Sequence, residues 1–420
     1  MLKFIKEIGW RGLISNKTKG TSEILKRKVN LYSGFDPTSS SLHIGNLISI
    51  ILSIHFKNYG HNVFFLLGTS TSLIGDPSGK KGERSLIKSE ENYLYSRKIR
   101  KQLFKFSKKF KIPIMNNNWN KKLKFIEFSR DIGKYFSINY MLNKDSVKKR
   151  LRSLSFTEFT YQLLQAYDFY YLYKNKKCVL QIGGSDQWGN ITCGIELIKK
   201  KQKTQVHGLT HPLLTRSDGT KFGKTENGEN IWLDPKLTSP YKFYQFWINL
   251  SDVQAKKLIK IFTFSNKISI SKIITLHDRA PFLRILQKKI AKITTILVHS
   301  KKTFTDIYNI NKILFNPNLK KILTFLSPKK LLLIKQYIPC KNILLNDTKF
   351  KILDILIIDN FICKSKTEAL RKIKFQSLLL NMKPFFSDYI ITKKDFLHKH
   401  FILIKKGKKN FYLLYFKYEV

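Results

Sequence analysis

The chain has 420 residues, 43% hydrophobic and 25% charged, which excludes a disordered polymer and exceeds one ordinary core, so two or three domains are expected. Its 78 Lys+Arg against 28 Asp+Glu give a formal charge of +50, a surplus that attracts polyanions, RNA foremost, and disfavours cationic partners. Lys far outnumbers Arg while Ile, Asn, Phe and Tyr abound, the residues of A- and T-rich codons, so drift in a low-GC genome is a second source of the same excess.

In chain order, Glu7 and the lack of an early apolar run argue against a signal peptide. Asn30 to Phe35 reads as a strand, followed by a turn at Asp36-Pro37-Thr38 and a helix from about Gly45 to Asn58. The apolar run Leu47 to Phe56 is broken by Ser49, Ser53 and His55 and is far too short to span a bilayer. Val63 to Gly68 reads as a second strand, leading into the loop Gly75-Asp-Pro-Ser-Gly79. Ser155-x-x-Glu158 is a capping-box pattern that starts a helix running to about Tyr173. Cys178 to Ile182, ending in Gly183-Gly184, is a third strand, and Val206 to Leu214 a fourth. This alternation predicts an α/β fold with a Rossmann-like parallel sheet over residues 1–238, with ligands at the Gly- and Pro-marked strand ends. From Ser239 to about Leu326, Phe, Leu and Ile recur every three or four residues with Lys between them, predicting a helical domain over 239–326. Residues 327–350 hold Pro328 and Pro339 and read as a linker, and 351–420 as a small α/β module.

Four cysteines (Cys178, Cys193, Cys340 and Cys363) are widely spaced, with no C-x-x-C pair and no matching His cluster. Free thiols in a reducing compartment and no protein metal site are therefore expected. On the helix from Ser155, the residues Tyr161, Gln165 and Asp168 stand at i, i+4 and i+7 and share one face. Three polar groups among Phe, Leu and Tyr suit the lining of a small pocket, although a solvated amphipathic face has the same spacing. Gly75 and Gly79 have three residues between them, where a phosphate-cradling Walker loop needs four.

The string Tyr32-Ser-Gly-Phe-Asp-Pro-Thr-Ser-Ser-Ser-Leu-His-Ile-Gly-Asn46 resembles the HIGH signature of class I aminoacyl-tRNA synthetases. Lys221-Phe-Gly-Lys-Thr225 resembles their KMSKS loop. Gln181-Ile-Gly-Gly-Ser-Asp-Gln-Trp-Gly-Asn-Ile-Thr192, between the two, narrows the resemblance to the tyrosyl-tRNA synthetases of the bacterial type. That resemblance implies a pocket in which Tyr161, Gln165 and Asp76 hold the ammonium group of tyrosine. Tyr32 and Asp168 would bracket its phenol, and Gln187 would stand near its reacting carboxylate. For ATP it implies Ser33, Gly34, Asp36, His43, Gly45, Gly184, Asp186 and Lys224. Gly34 and Gly184 allow close backbone approach, while Thr38 and His43 donate to phosphates near a helix N-terminus. Asn46 replaces the usual second histidine and still offers a donor. Lys80 and Arg84 match a loop that reaches the pyrophosphate, and Lys221, Lys224 and Thr225 form the second lid.

The resemblance also implies the reaction. Tyrosine's ionised carboxylate attacks the α-phosphate of ATP, and the tyrosyl group then passes to the terminal adenosine of tRNA(Tyr). ATP enters as substrate with Mg2+. A cytoplasmic homodimer is expected, with no membrane and no DNA partner. Ser365-Lys-Thr-Glu-Ala-Leu-Arg371 resembles the first helix pair of an RNA-binding fold shared with a small-subunit ribosomal protein (S-four-like). Asn381-Met382 stands where that fold commonly has Asn-Gly, so a changed turn is expected. Gly68-Thr-Ser-Thr-Ser72 lacks glycines the family commonly has, and the side chains of Thr69 and Ser72 would narrow the pocket or stiffen the loop. A tryptophanyl enzyme shares the fold, but the Tyr32/Asp168 pair argues against it. A catalytically dead RNA-binding protein is opposed by His43, Lys221 and Lys224.

Overall fold

Strands β1 (Asn16–Lys17), β2 (Asn30–Phe35), β3 (Asn62–Leu67), β4 (Ile114–Asn116), β5 (Cys178–Gly184) and β6 (His207–His211) form one sheet, in the order β1-β6-β5-β2-β3-β4. The computed structural model in which they are seen describes residues 2–78, 82, 85–148, 153–215, 222–223, 228–345 and 350–418. Every pairing is parallel except that of the short edge strand β1 with β6. Parallel sheets need cover on both faces, which is why β3 is apolar from Val63 to Leu67 and β5 carries Cys178, Val179, Leu180 and Ile182. All five residues of β6 are buried. The chain moves outward from β2 to β3 and β4, then returns to the other side of β2 for β5 and β6. The carboxyl ends of β2 and β5 thus flank the crevice where open α/β sheets bind ligands.

Helix α1 (Ile44–Asn58) joins β2 to β3, and α2 (Ser89–Phe110) lies between β3 and β4. Helix α3 (Phe156–Lys176) precedes β5, and α4 (Trp188–Gln202) joins β5 to β6. From Ile44 to Phe56 most of α1 is buried, including Ser53 and His55, so its apolar run serves a helix covered almost all round. Ser155 caps α3 by accepting the Glu158 amide at 3.3 Å. Strands β1 and β4 were not anticipated, because two or three residues show no usable alternation.

The chain divides into two compact units, Met1–Thr238 with Ile248–Ile290 and Ser239–Trp247 with Ala291–Val420. Within the first unit, Arg11 ties helix Asp252–Ile261 to the N-terminal segment. Its guanidinium, 2% exposed, donates to the carbonyls of Lys260, Thr263 and Ser265 at 2.7 Å each, satisfying groups a helix end leaves open. Glu7 completes the set at 2.7 Å. Burial pushes the Glu7 carboxyl up, but its bonds to Arg11 and Tyr59 outweigh this and hold it below the usual range.

The second unit holds helices through Leu319–Phe325 and Pro328–Tyr337, then a sheet of β7 (Cys340–Leu345), β8 (Leu378–Leu380), β9 (Phe401–Lys406) and β10 (Asn410–Tyr418) in the order β7-β10-β9-β8. The stretch 327–350, expected as a linker, therefore carries a helix and a strand. Pro328 opens that helix at a position needing no amide donor. Pro339 lies between the helix and β7, where it interrupts neither. The Asn381-Met382 turn keeps a tight two-residue geometry despite the missing glycine: both residues have positive φ, 45° and 66°. Leu380 and Lys383 exchange backbone hydrogen bonds of 2.9 and 2.8 Å across it. Asn381 pays for the turn with its side chain, bonding the Leu403 amide and the Asp395 carbonyl at 2.9 and 2.6 Å.

Candidate active site

Tyr32, Ser33 and Gly34 lie on β2, with Asp36 and Thr38 just beyond its carboxyl end. Period-two alternation points Tyr32 toward α3, where its ring meets Phe169 edge-on at 5.5 Å. The Tyr32 hydroxyl is fully buried and has no hydrogen-bond partner among the described residues. Burial and then the charge of Asp168 push its pKa well up, so it is a neutral donor.

Asp168 is 2% exposed and accepts three hydrogen bonds: from Trp119 Nε1 at 2.7 Å, Asn120 Nδ2 at 2.9 Å and Asn117 Nδ2 at 3.1 Å. Burial pushes its carboxyl up to about 7, against the pull of Asn117 and Trp119. Trp119 is itself held by stacking on Tyr171, with centroids 4.1 Å apart and planes 12° from parallel. The sequence reading missed all three donors. They sit in the string Asn116-Asn-Asn-Trp-Asn120 on a short 3-10 turn after β4, which has no periodicity to mark it as functional.

Tyr161, Gln165 and Asp168 share α3. The Tyr161 hydroxyl donates to Asp36 Oδ2 at 2.6 Å, and Gln165 Oε1 is buried with no partner among the described residues. Asp76 is also buried; it accepts Gln187 Nε2 at 2.5 Å, the Ser78 amide at 2.9 Å and Asn190 Nδ2 at 3.2 Å. Gln187 and Asp186 lie in the 3-10 turn Ser185–Gln187 directly after Gly184 at the end of β5. The structure thus joins Tyr161 to Asp36, and Asp76 to Gln187, by direct hydrogen bonds.

His43 is the N-cap of α1. Its Nδ1 accepts the Gly45 amide at 3.0 Å, so the neutral ring carries its proton on Nε2 and can donate it. A Cβ at Gly45 would lie 2.7 Å from His43 Cε1, which explains a glycine there. Asn46 Oδ1 accepts the His43 amide at 3.0 Å, so Asn46 caps the helix and Nδ2 is its atom able to donate to a ligand. The segment after the second motif is laid against this helix start: Ile44 bonds Ile231 at 3.1 Å, and Ile231 bonds the Gly223 carbonyl at 2.7 Å. Gly223 has φ 93° and packs on Ile44. Lys80, Arg84, Lys221, Lys224 and Thr225 lie outside the described residues.

These residues gather at and just beyond the carboxyl ends of β2 and β5 and along α3, with the buried phenol of Tyr32 under the charge of Asp168 and the Asp36–Tyr161 and Asp76–Gln187 pairs as further polar groups. Comparison with known proteins gives the family of the chain. Residues 25–316 match the family described as tRNA synthetases class I (W and Y). Residues 335–414 match the tyrosine--tRNA ligase SYY-like C-terminal domain. A tyrosine--tRNA ligase of Flavobacterium johnsoniae is 44% identical, covering 99% of this chain and 99% of that protein. One of Bacteroides fragilis is 43% identical over 98% and 99%. Among solved structures, a C-terminally truncated mitochondrial tyrosyl-tRNA synthetase of Aspergillus nidulans is 32% identical with a TM-score of 0.67, covering 74% of this chain and 94% of that one.

Proposed function

The chain belongs to the class I tRNA synthetases of the tryptophan and tyrosine family, as a tyrosine--tRNA ligase of the bacterial type, and from that premise we propose how its residues divide the work. The enzyme activates L-tyrosine with ATP and charges tRNA(Tyr). Tyr32 and Asp168 recognise the phenol, one as a donor and the other as an acceptor. Tyr161, Gln165 and Asp76 hold the ammonium group, and Gln187, bonded to Asp76, orients the carboxylate.

In the first step a tyrosine carboxylate oxygen attacks the α-phosphorus as the bond to pyrophosphate breaks, with no general base required. Positioning and charge stabilisation supply the rate. Thr38 and His43 Nε2 donate to phosphate oxygens at the α1 N-terminus. Loss of one such donor costs about 3 kcal/mol of transition-state stabilisation. Ser33, Gly34, Asp36, Gly45, Gly184 and Asp186 form the nucleotide side, and Asn46 Nδ2 serves the ribose. Lys80, Arg84, Lys221, Lys224 and Thr225 neutralise the leaving pyrophosphate. ATP comes as its Mg2+ complex, which is substrate. In the second step a ribose hydroxyl of the terminal adenosine attacks the tyrosyl carbonyl and AMP leaves.

The observation that carries the residue assignment is the buried Tyr32 hydroxyl, unpartnered among the described residues, facing the charge of Asp168. Either group loses a partner if phenylalanine enters instead. We also place the enzyme in the cytoplasm as a homodimer, its chain dividing into Met1–Thr238 with Ile248–Ile290 and Ser239–Trp247 with Ala291–Val420 rather than at the expected bounds 1–238, 239–326 and 351–420. The four free cysteines and the exposed apolar side chains of Phe125, Ile126, Ile138 and Phe156 support the first two of these readings. The test of the assignment is exchange of pyrophosphate into ATP. Tyrosine should support it, phenylalanine and tryptophan should not, and Asp168→Ala should erase the preference. Exchange with tryptophan alone would overturn the assignment.

A further inference from the structure

A continuous hydrogen-bond chain joins Asp168 to Asp36 and Tyr161. Asn117, fully buried, spends one amide hydrogen on Asp168 Oδ2 and the other on Thr71 Oγ1, both at 3.1 Å. Thr71, 2% exposed, passes its single hydroxyl hydrogen to Asp36 Oδ1 at 2.9 Å. The Gly68 carbonyl, at 3.3 Å, is the weaker acceptor because it is neutral and farther. The other oxygen of Asp36 takes the Tyr161 hydroxyl at 2.6 Å. Asn117 cannot turn over, because its Oδ1 accepts the Ser70 amide at 2.9 Å. The backbone at Gly68 is equally committed: a Cβ there would lie 1.9 Å from Asp36 Oδ1 and 2.4 Å from Thr71 Oγ1.

The polarity of the chain is fixed from both ends. The Asn117 Nδ2 group can only donate, so it donates in both directions, and Thr71, which accepts from it, must donate toward the Asp36 carboxylate. A change in what Asp168 accepts alters the pull on Asn117, then on Thr71, then on the carboxylate beside the nucleotide side of the site. In a buried, fully bonded network such shifts are not screened by water.

We propose that Thr71 is a positioning residue that, through Asn117, couples recognition of the tyrosine phenol at Asp168 to the placement of Asp36 and Tyr161. The proposal rests on the residue assignment above, and its test reads equilibrium binding, whereas the assignment is tested by exchange. Thr69 and Ser72, the two departures from glycine, take opposite sides of the same loop. The Thr69 hydroxyl lies 3.1 Å from Asn118 Oδ1 and 3.3 Å from Asn117 Oδ1, while Ser72 accepts Asn92 Nδ2 at 2.8 Å.

The experiment measures the tyrosine-to-phenylalanine affinity ratio by calorimetry, with Thr71→Val, Thr71→Ser and Tyr161→Phe beside the unaltered chain. Thr71→Val keeps the shape and removes the hydroxyl; it should lower the ratio about 10-fold, while Thr71→Ser restores it to within about twofold. Tyr161→Phe is the second arm and stays readable if Thr71→Val fails to fold. Tyr161 faces an ammonium group common to both amino acids, so a fall of about fivefold in the ratio reaches the phenol only through the chain. An unchanged ratio in folded Thr71→Val, or in Tyr161→Phe, overturns the coupling, as does a serine variant as impaired as the valine one.

Discussion

Asp168 carries opposing influences whose balance sets a pH response. Burial favours the neutral acid, while three N–H donors favour the carboxylate, and burial wins enough to bring the group up to about 7. The phenol of tyrosine donates, so it binds best to the carboxylate and pulls the pKa down as it does. Because the pKa without tyrosine lies above the usual carboxylate range, the binding form is scarce below 7 and dominant above it. Tyrosine KM in the exchange reaction should therefore fall as pH rises from 6 to 8, with most of the change near 7. Asp168→Asn, which cannot titrate, should give a flat profile; a flat profile in the unaltered chain would rule the account out. The i, i+4, i+7 spacing made the Tyr161-Gln165-Asp168 face legible in the sequence, because a helix converts spacing into direction. Trp119 and the two asparagines that tune Asp168 were not legible. They reach it across the fold from a turn, and in an Asn-rich chain such a string resembles an ordinary polar loop.

At the scale of elements, the strands and helices that carry the motifs were readable, whereas the long helices α2 and α4 and the short strands β1 and β4 were not anticipated. Strand β2 has the bounds its pattern predicts, and α1 begins one residue before the predicted Gly45 because His43 supplies the cap. Strands β1 and β4 owe their existence to partners already in the sheet. Residues 327–350 misled for a definite reason: proline marks helix starts as readily as linkers, and only packing distinguishes the two. The Asn381-Met382 turn shows the reverse case, an unfavourable local residue retained by its surroundings. Met382 at φ 66° bears the left-handed penalty of about 1–2 kcal/mol that a side chain incurs there. Glycine at that position relieves it, less the extra freedom glycine gains when unfolded. Met382→Gly should thus stabilise the C-terminal module by about 0.5–1 kcal/mol, seen as a higher midpoint in urea unfolding. A lower midpoint would mean the methionine side chain contributes packing that outweighs the strain.

On the scale of the whole molecule, charge and apolar exposure point to different partners. A formal charge of +50 suits a protein that handles tRNA, since each phosphate it neutralises releases counterions and makes binding sensitive to salt. That charge also makes self-association costly unless apolar contact compensates. Phe125, Ile126, Ile138 and Phe156 are 69–76% exposed, and all lie in the first unit. Phe156→Asp should convert the proposed dimer to monomer at micromolar concentration in sedimentation velocity. Phe325→Asp, at a residue 89% exposed in the second unit, should not. A dimer that survives Phe156→Asp would place the interface elsewhere. The order of β7-β10-β9-β8 also bears on biosynthesis. Among the described residues, strand β7 pairs within this sheet only with β10, which the ribosome makes after β7, β8 and β9. The sheet therefore cannot close while translation is still short of Asn410. A nascent chain arrested there would present β7 as a bare edge, the kind of surface that chaperones must shield from aggregation.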